Sequence, residues 1–148
     1  MSVTMNVIDV IDVDPKVAWR ALASDANATL IDVRTAAEWT YVGLPLLQSL
    51  SKKPVLLEWQ SYPSMSINQD FGSKLVAALT DAGLAQDTHL YFLCRSGVRS
   101  KAAASAMIDL GWTNSFNIAG GFEGGIDLTG HRGSTNGWKA SGLPWSQT

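Results

Sequence analysis

The sequence predicts a three-layer α/β/α fold, in which a mostly parallel central sheet of about five strands is covered by helices on both faces. The main observation is that short apolar runs typical of buried strands alternate with segments that carry helix start and stop signals. A second observation is size, since 148 residues can bury the core of one domain. The third is composition, because 46% hydrophobic and 16% charged residues are typical of a globular protein. We therefore expect a single domain over residues 1–148.

The N-terminal half is predicted to hold two helices and three strands, the strands at Val7–Val10 (an edge strand), Thr29–Val33 and Val55–Trp59. Asp14-Pro15 begins the first helix, because Asp caps helix starts and Pro fits the first helical position. The apolar positions of this helix, which runs to Ala23, share one face: Val17, Ala18, Ala21 and Leu22. Thr35 and Glu38 have the spacing of a capping box, which begins a second, short helix. Segments 43–54 and 62–68 lack periodicity and are expected to be loops, and 62–68 is a candidate cover for a functional site.

The C-terminal half is predicted to contain two long helices, two strands and a glycine-rich corner. The first helix runs from Asp70-Phe71 to its cap at Gly83 and buries one stripe: Phe71, Leu75, Ala78 and Leu79. The strand Thr88–Leu93 is followed by a loop and by a helix over 100–110, which stops at a glycine. The last strand is Ser115–Ile118, and the corner 120–125 is interpreted as a tight turn rather than a dinucleotide fingerprint. A short helix near Trp138, capped by Gly142, ends the pattern.

Charge, cysteine count and histidine spacing exclude several classes of function. A net charge of −2 with scattered Lys and Arg provides no basic surface for nucleic acid. No apolar run approaches the roughly 20 residues of a membrane-spanning helix, and the N-terminus lacks the pattern of a signal peptide. His89 and His131 lie far apart, so neither a metal site nor a cofactor is expected, and His131 is interpreted as a surface residue. The single cysteine allows no intramolecular disulfide and indicates a reducing, cytoplasmic location.

The only cysteine, Cys94, lies between the end of a predicted strand and the start of a predicted helix. Unpaired N–H groups at a helix N-terminus attract negative charge, and the flanking Arg95 and Arg99 add positive charge. Ser96 and Gly97 are small enough to let the backbone curl and point its N–H groups inward, as in an anion nest. The thiol is therefore expected to ionise easily and to act as a nucleophile. A buried core cysteine, the alternative, would not need two arginines and a glycine beside it.

The length of this loop separates two kinds of cysteine chemistry. Four residues lie between Cys94 and Arg99. Cysteine-dependent phosphatases place one residue more in this interval, which makes a wider cradle for a tetrahedral phosphate. The tighter loop suits a single extra sulfur atom, so a persulfide at Cys94 is favoured over a phosphocysteine. A phosphatase or arsenate reductase on the same fold is the disfavoured alternative.

The segment from Cys94 to Ser100 strongly resembles the active-site loop of rhodanese-domain sulfurtransferases, and the whole chain resembles their single-domain bacterial type. Three other segments resemble further signatures of that family: Asp32-Val33-Arg34-Thr35 with Glu38-Trp39, Gly111-Trp112 with Asn117 to Phe122, and Gly137-Trp138 with Gly142-Leu143-Pro144. The chain departs from the family over 42–47, where many members have a histidine that would position the loop or the substrate. Because the match spans nearly the whole chain, the resemblance implies a rhodanese-like fold.

The resemblance implies a sulfurtransferase in which Cys94 takes a sulfane sulfur from thiosulfate or from a persulfide donor. Backbone N–H groups of the loop would hold the sulfur as a persulfide until cyanide or a thiol accepts it. The implied substrate-binding residues are Arg95, Ser96, Gly97, Val98 and Arg99. Among them, Arg95 would attract the anionic donor and Arg99 would brace the loop. The implied partners are therefore a small-molecule donor, a thiol or cyanide acceptor and a sulfur-relay protein.

Three further residues, Asp32, Arg34 and Ser100, are implied to support the loop. Asp32 is expected to accept hydrogen bonds from loop or arginine groups, and Arg34 to pair with Glu38 one helical turn on. For Asp32 and Arg34, a purely structural salt bridge is an equal alternative to a role toward the substrate. For the whole protein, the alternative to an enzyme is a persulfide carrier or sulfur-relay module that does little with thiosulfate.

Overall fold

The computed structural model describes residues 10–147, and its centre is a five-stranded parallel sheet. The strands in chain order are β1 (Asp12–Val13), β2 (Thr29–Asp32), β3 (Leu44–Pro45), β4 (Val55–Leu56), β5 (Gln60–Ser61), β6 (Ser66–Ile67), β7 (Leu90–Leu93), β8 (Ser115–Ile118) and β9 (Trp145–Ser146). The helices are α1 (Pro15–Ser24), α2 (Ala36–Tyr41), α3 (Phe71–Asp81), α4 (Val98–Asp109) and α5 (Gly137–Ala140), with a 3₁₀ turn at Gln48–Leu50. The order across the central sheet is β1-β8-β7-β2-β4. The predicted parallel sheet of five strands is thus confirmed.

Helices cover both faces of this sheet, which confirms the predicted three-layer arrangement. Helices α3 and α4 pack on one face, with Leu75 and Met107 fully buried in a shared core. Helices α1 and α5 pack on the other face, where Leu22 and Trp138 belong to a second core. Alternate residues of β7 belong to opposite cores, because side chains along a strand point alternately to its two faces. The strand that precedes Cys94 is therefore held from both sides.

The predicted starts of α1 and α2 are confirmed by their capping contacts, whereas α4 begins at Val98, two residues before its predicted start. The Asp14 side chain accepts a hydrogen bond from the Lys16 N–H at 2.8 Å, and α1 begins at the proline that follows. The capping box of Thr35 and Glu38 is present at the start of α2. Helix α3 is followed by Gly83 with a φ of 80°, the left-handed conformation that often ends a helix. These contacts fix where α1 and α2 begin relative to the ends of their neighbouring strands.

Some boundaries and faces differ from the prediction. Residues 7–9 of the predicted edge strand Val7–Val10 lie outside the described residues, and the described edge strand is β1. The segments 43–54 and 62–68 are not plain loops, because β3 pairs with β9 and β5 pairs with β6 in antiparallel ribbons. Val17 is 43% exposed and Ala78 is also exposed, so the buried faces of α1 and α3 are narrower than predicted. In both helices the buried positions recur every three or four residues, which leaves one narrow stripe on the sheet.

Within residues 10–147, every helix is too short or too polar to cross a membrane. In the same part of the chain, His, Cys, Asp and Glu side chains form no group of three that could hold a metal ion.

Candidate active site

Cys94 lies at the carboxyl edge of the sheet, where β7 ends beside β2. The connection from β7 to α4 consists of the four residues 94–97. The chain turns at Gly97, whose φ of 112° lies in the left-handed region that favours glycine. A Cβ on Gly97 would approach no atom closer than 3.5 Å, so the backbone conformation rather than crowding calls for glycine here. The carboxyl edge is where ligands bind in parallel α/β sheets.

The Cys94 sulfur is buried and has two polar neighbours within hydrogen-bond distance. The Gly97 N–H donates to Sγ at 3.1 Å, and the Ser100 hydroxyl oxygen lies 3.2 Å from Sγ. Ser100 itself is fully buried on the first turn of α4. Of the loop N–H groups expected to point at the sulfur, the one that donates to it among the described residues is that of Gly97. The Gly97 N–H suits a sulfur that carries negative charge, since a charged acceptor strengthens its hydrogen bond.

The other loop residues lie on two different surfaces. Arg95 is exposed and lines an open cleft of about 610 Å³. Ser96 and Val98 line a separate groove of about 300 Å³, and the Val98 side chain is 77% exposed. Of the predicted substrate-binding side chains, the cleft therefore brings together Arg95 and Arg99 only.

Arg99 is held by Glu38 rather than left free. The Arg99 Nη1 and Nη2 atoms donate to the two Glu38 carboxylate oxygens at 2.6 and 2.9 Å. The predicted pair of Arg34 with Glu38 is therefore wrong, because Arg34 precedes the α2 cap and turns away from the helix. Burial raises the pKa of the Glu38 carboxyl, but the hydrogen bond and charge of Arg99, with smaller help from Thr35 and Arg34, outweigh burial and lower it. The ion pair joins α2 to the first turn of α4, directly after the Cys94 loop, and bracing of the loop by Arg99 stays a prediction.

Arg34 pairs with Asp32 in the protein interior. Both side chains are fully buried, and the Arg34 Nε and Nη2 atoms donate to the Asp32 carboxylate at distances down to 2.7 Å. The same guanidinium donates to the Gly43 carbonyl at 2.9 Å and lies 4.2 Å from the centroid of the Phe122 ring. Asp32 thus accepts from an arginine, as expected. Neither side chain lines the cleft, which favours the structural alternative for this pair.

The cleft beside the Cys94 loop is lined by residues from five separate stretches of the chain. They are Thr35, Ala37, Glu38, Tyr41, Val42, Tyr62, Met65, Arg95, Arg99, Glu123 and Arg132. Tyr62 and Met65 belong to the turn between β5 and β6, so the segment 62–68 does border the site. Within the described residues, Arg95 and Arg132 have no carboxylate within salt-bridge distance, whereas Arg99 has Glu38. Two arginines of the cleft are therefore available to an anionic ligand.

Arg132 is a cleft residue that the sequence analysis did not identify. Its Nη1 atom donates to the Gly124 carbonyl at 2.6 Å, and the Gly124 N–H donates to the Arg95 carbonyl at 3.2 Å. The loop that carries Arg132 is folded around Asp127, whose carboxylate accepts from the His131 N–H and from the Thr129 and Ser134 hydroxyls. These bonds place Arg132 at a fixed position relative to the Cys94 loop. The available sequence signal was the stretch 130–133, an arginine in a glycine-flanked loop.

Asn117 is a second residue that the sequence analysis did not single out as functional. It lies on β8, is 3% exposed, and its Oδ1 atom is 2.5 Å from the Ser100 hydroxyl oxygen. Its Nδ2 atom donates to the Asp12 carboxylate at 2.9 Å and to the Gly97 carbonyl at 3.2 Å. Asn117 therefore connects three parts of the site: the Cys94 loop at Gly97, Ser100 on α4 and Asp12 on the edge strand β1. The signal for it was a polar residue at an inward-facing position of a buried strand.

Comparison with known proteins finds a matching family model and several similar sequences. The model of the family described as the STR4 middle domain matches residues 12–148. The chain is 38% identical over 128 residues to the uncharacterised protein RC0915 of Rickettsia conorii, covering 86% of this chain and 90% of that protein. It is 25% identical over 133 residues to the thiosulfate sulfurtransferase GlpE of Actinobacillus succinogenes, covering 90% and 87% of the two chains. Similarity to the Arabidopsis thaliana rhodanese-like domain-containing protein 4, chloroplastic, is 29% over 130 residues, 88% of this chain and 24% of that protein.

A solved structure supports the same comparison in three dimensions. The crystal structure of Rv0390 from M. tuberculosis superposes with a TM-score of 0.79 at 40% sequence identity. The superposition covers 93% of this chain and 97% of that one. This chain therefore shares its fold with that structure over nearly its whole length.

Proposed function

The chain belongs to the rhodanese-like sulfurtransferase family, and from this premise we propose that it moves a sulfane sulfur from thiosulfate or a persulfide donor to cyanide or a thiol. The observation that carries the proposal is that two polar groups lie within hydrogen-bond distance of the Cys94 sulfur. The Gly97 N–H and the Ser100 hydroxyl lie 3.1 and 3.2 Å from Sγ, in a connection of four residues at a helix N-terminus. Such a site stabilises a negative sulfur.

The proposed reaction has two steps, each of which breaks one sulfur–sulfur bond and forms one new bond to the transferred sulfur. In the first, the Cys94 thiolate attacks the sulfane sulfur of thiosulfate, a new S–S bond forms, and sulfite leaves with the electron pair of the broken bond. The product is the persulfide Cys94–S–S⁻, whose negative charge the Gly97 N–H and the α4 N-terminus would stabilise. In the second, cyanide or a thiolate attacks the outer sulfur and the Cys94 thiolate is regenerated. Charge and electrons balance in both steps, so the reaction calls for no cofactor.

The charges of the cleft support an anionic donor. Glu38 neutralises Arg99, so the cleft arginines that remain for a ligand are Arg95 and Arg132. Glu123 also lines the cleft, and two free arginines against one carboxylate leave its wall positive. In this proposal Arg95 attracts the donor, and Arg132, held by its bond to the Gly124 carbonyl, binds the same anion from the opposite loop.

Arg132→Gln is expected to raise the KM for thiosulfate roughly tenfold while changing kcat little, because it removes one charge-assisted contact to the donor. Steady-state thiocyanate formation over a range of thiosulfate concentrations measures both constants. Arg20→Gln is the matched control, since Arg20 is an exposed residue of α1 outside the cleft and the charge change is identical. Equal KM values for the two variants would rule out Arg132 as a donor-binding residue.

The sulfur-transfer proposal is tested by mass spectrometry and by product formation. After incubation with thiosulfate or a low-molecular-weight persulfide, the intact protein should gain about 32 Da, one sulfur atom, and Cys94→Ala should gain none. Wild-type protein should also form thiocyanate from thiosulfate and cyanide, and Cys94→Ala should form none above the uncatalysed rate. A mass gain without thiocyanate would favour the alternative, a persulfide carrier that receives sulfur from a partner protein. No mass gain with any donor would contradict both readings.

A further inference from the structure

The Ser100 hydroxyl lies between two acceptors and has one proton to give. Its oxygen is 2.5 Å from the Asn117 Oδ1 atom and 3.2 Å from the Cys94 Sγ atom. Because a hydroxyl carries a single hydrogen, it can make a full hydrogen bond to one of these atoms at a time. All three residues are buried, with exposures of 0% for Ser100, 3% for Asn117 and 1% for Cys94. Water therefore has little access to relieve the competition.

The contacts of the Asn117 amide decide which acceptor has the proton. Its Nδ2 atom lies 2.9 Å from an Asp12 carboxylate oxygen and 3.2 Å from the Gly97 carbonyl oxygen, and both of these groups only accept hydrogen bonds. The NH₂ group must therefore face Asp12 and Gly97, which directs Oδ1 at Ser100. An amide oxygen cannot donate, so the 2.5 Å contact is a hydrogen bond from the Ser100 hydroxyl to Asn117. The lone pairs of the Ser100 oxygen then face the sulfur.

We infer that Asn117 is a positioning residue that competes with the Cys94 sulfur for the Ser100 proton. While Cys94 is a thiol, its S–H donates to Ser100, which donates in turn to Asn117. When the sulfur is negative, Ser100 can donate to it only if the Ser100–Asn117 hydrogen bond breaks. The hydrogen bond from the Gly97 N–H to the sulfur needs no such change. Asn117 thereby restrains the reactivity of the nucleophile. The inference rests on the proposed role of Cys94, but its readouts below are those of the free thiol and do not require sulfur transfer.

Asn117→Leu is the variant that separates this role from a merely structural one. Leucine keeps the branched shape of asparagine and cannot accept a hydrogen bond, so the Ser100 proton becomes free for the sulfur. We expect iodoacetamide to alkylate Cys94 roughly 2- to 10-fold faster in Asn117→Leu at a fixed neutral pH, the factor expected for one hydrogen bond. The ultraviolet absorbance of the thiolate should rise in parallel, and Cys94 is the single cysteine of the chain, so the signal is unambiguous.

The effect must pass through Ser100, and a double variant checks this. Ser100→Ala removes the hydroxyl through which Asn117 acts, so adding Asn117→Leu to Ser100→Ala should change the alkylation rate no further. Asn114→Leu is the matched control, since Asn114 is half-buried and its amide donates to the Asp87 carbonyl, away from the sulfur. If Asn117→Leu slows alkylation, or changes it equally with and without Ser100, then Asn117 only tethers the Gly97 carbonyl and the inference is wrong.

A measurement on the unmodified protein covers the case in which Asn117→Leu does not fold. At a pH where Cys94 is protonated, its S–H should donate to the Ser100 oxygen and the infrared S–H stretch should lie at lower frequency than in Ser100→Ala. An unchanged frequency would show that Ser100 does not accept from the thiol, which contradicts the inferred arrangement.

Discussion

Replacing Asp32 by valine is expected to lower the free energy of unfolding by about 3–5 kcal/mol, because Arg34 would then keep its charge in the core without a counter-ion. Both side chains are fully buried and their closest atoms are 2.7 Å apart. Arg34 also donates to the Gly43 carbonyl and packs on the Phe122 ring, so turning out toward water would break two further contacts. Arg34→Met should cost a similar amount, since it leaves the Asp32 carboxylate buried with the Arg34 backbone N–H as its remaining donor.

A double variant distinguishes the ion pair from the packing of its two side chains. Asp32→Val combined with Arg34→Met should lose much less than the sum of the single losses, because both buried charges disappear together. Asp70→Ala is the control: the Lys74–Asp70 pair is more than half exposed and should contribute little. Urea unfolding gives the free energies of all variants. Additive losses, or a loss from Asp32→Val no larger than that of the control, would show that the buried pair does not stabilise this edge of the sheet.

The central sheet and the helix starts are predictable from the sequence because their signals are local. Asp14 and Thr35 cap helices through atoms two or three residues away, and an apolar run such as β7 is buried on both faces. The two-residue strand β3, in contrast, depends on pairing with residues far away in the sequence. Leu44 and Pro45 form a strand only because Trp145 and Ser146 lie beside them, about a hundred residues further along the chain. Propensity within 43–54 cannot show such a pairing.

The partner of Glu38 shows why the site was only partly predictable. A spacing of four residues indicates an ion pair when both residues lie on one helix, but Arg34 precedes the Thr35 cap and its side chain enters the core. The actual partner, Arg99, is 61 residues away and meets Glu38 where α2 and the Cys94 loop converge. The loop itself was identifiable because its residues are consecutive. Arg132 and Asn117 were not, because chain topology alone brings them to the same edge.

The need for glycine at position 121 becomes clear only from the three-dimensional structure. The sequence indicates a tight turn, and its φ of 64° agrees with that prediction. The structure adds a close approach of backbones, because a Cβ on Gly121 would lie 2.5 Å from the Cys94 carbonyl oxygen and 2.6 Å from the Arg95 carbonyl carbon. The neighbouring Phe122 N–H donates to that Cys94 carbonyl at 2.7 Å. The glycine-rich corner thus packs directly against the backbone of Cys94 and Arg95.

Gly121→Ala is therefore expected to impair the site more than a glycine substitution of the same backbone conformation elsewhere. All the crowded atoms belong to the backbone of Cys94 and Arg95, so no side chain can rotate away and the loop itself must move. Overpacking together with left-handed strain should cost about 2–4 kcal/mol of stability. A displacement of the nucleophile by about 1 Å should lower the rate of sulfur transfer roughly 100-fold.

Gly83→Ala provides the matched comparison for this prediction. Gly83 has a φ of 80°, and an added Cβ there would meet nothing within 4 Å, so this variant carries the backbone strain without the crowding. It should lose about 1 kcal/mol of stability and keep the wild-type rate of thiocyanate formation. Because the two substitutions share the strain, the difference between them isolates the contact between the corner and the Cys94 loop. Equal stabilities and equal rates in the two variants would mean that the loop does not depend on this contact for its position.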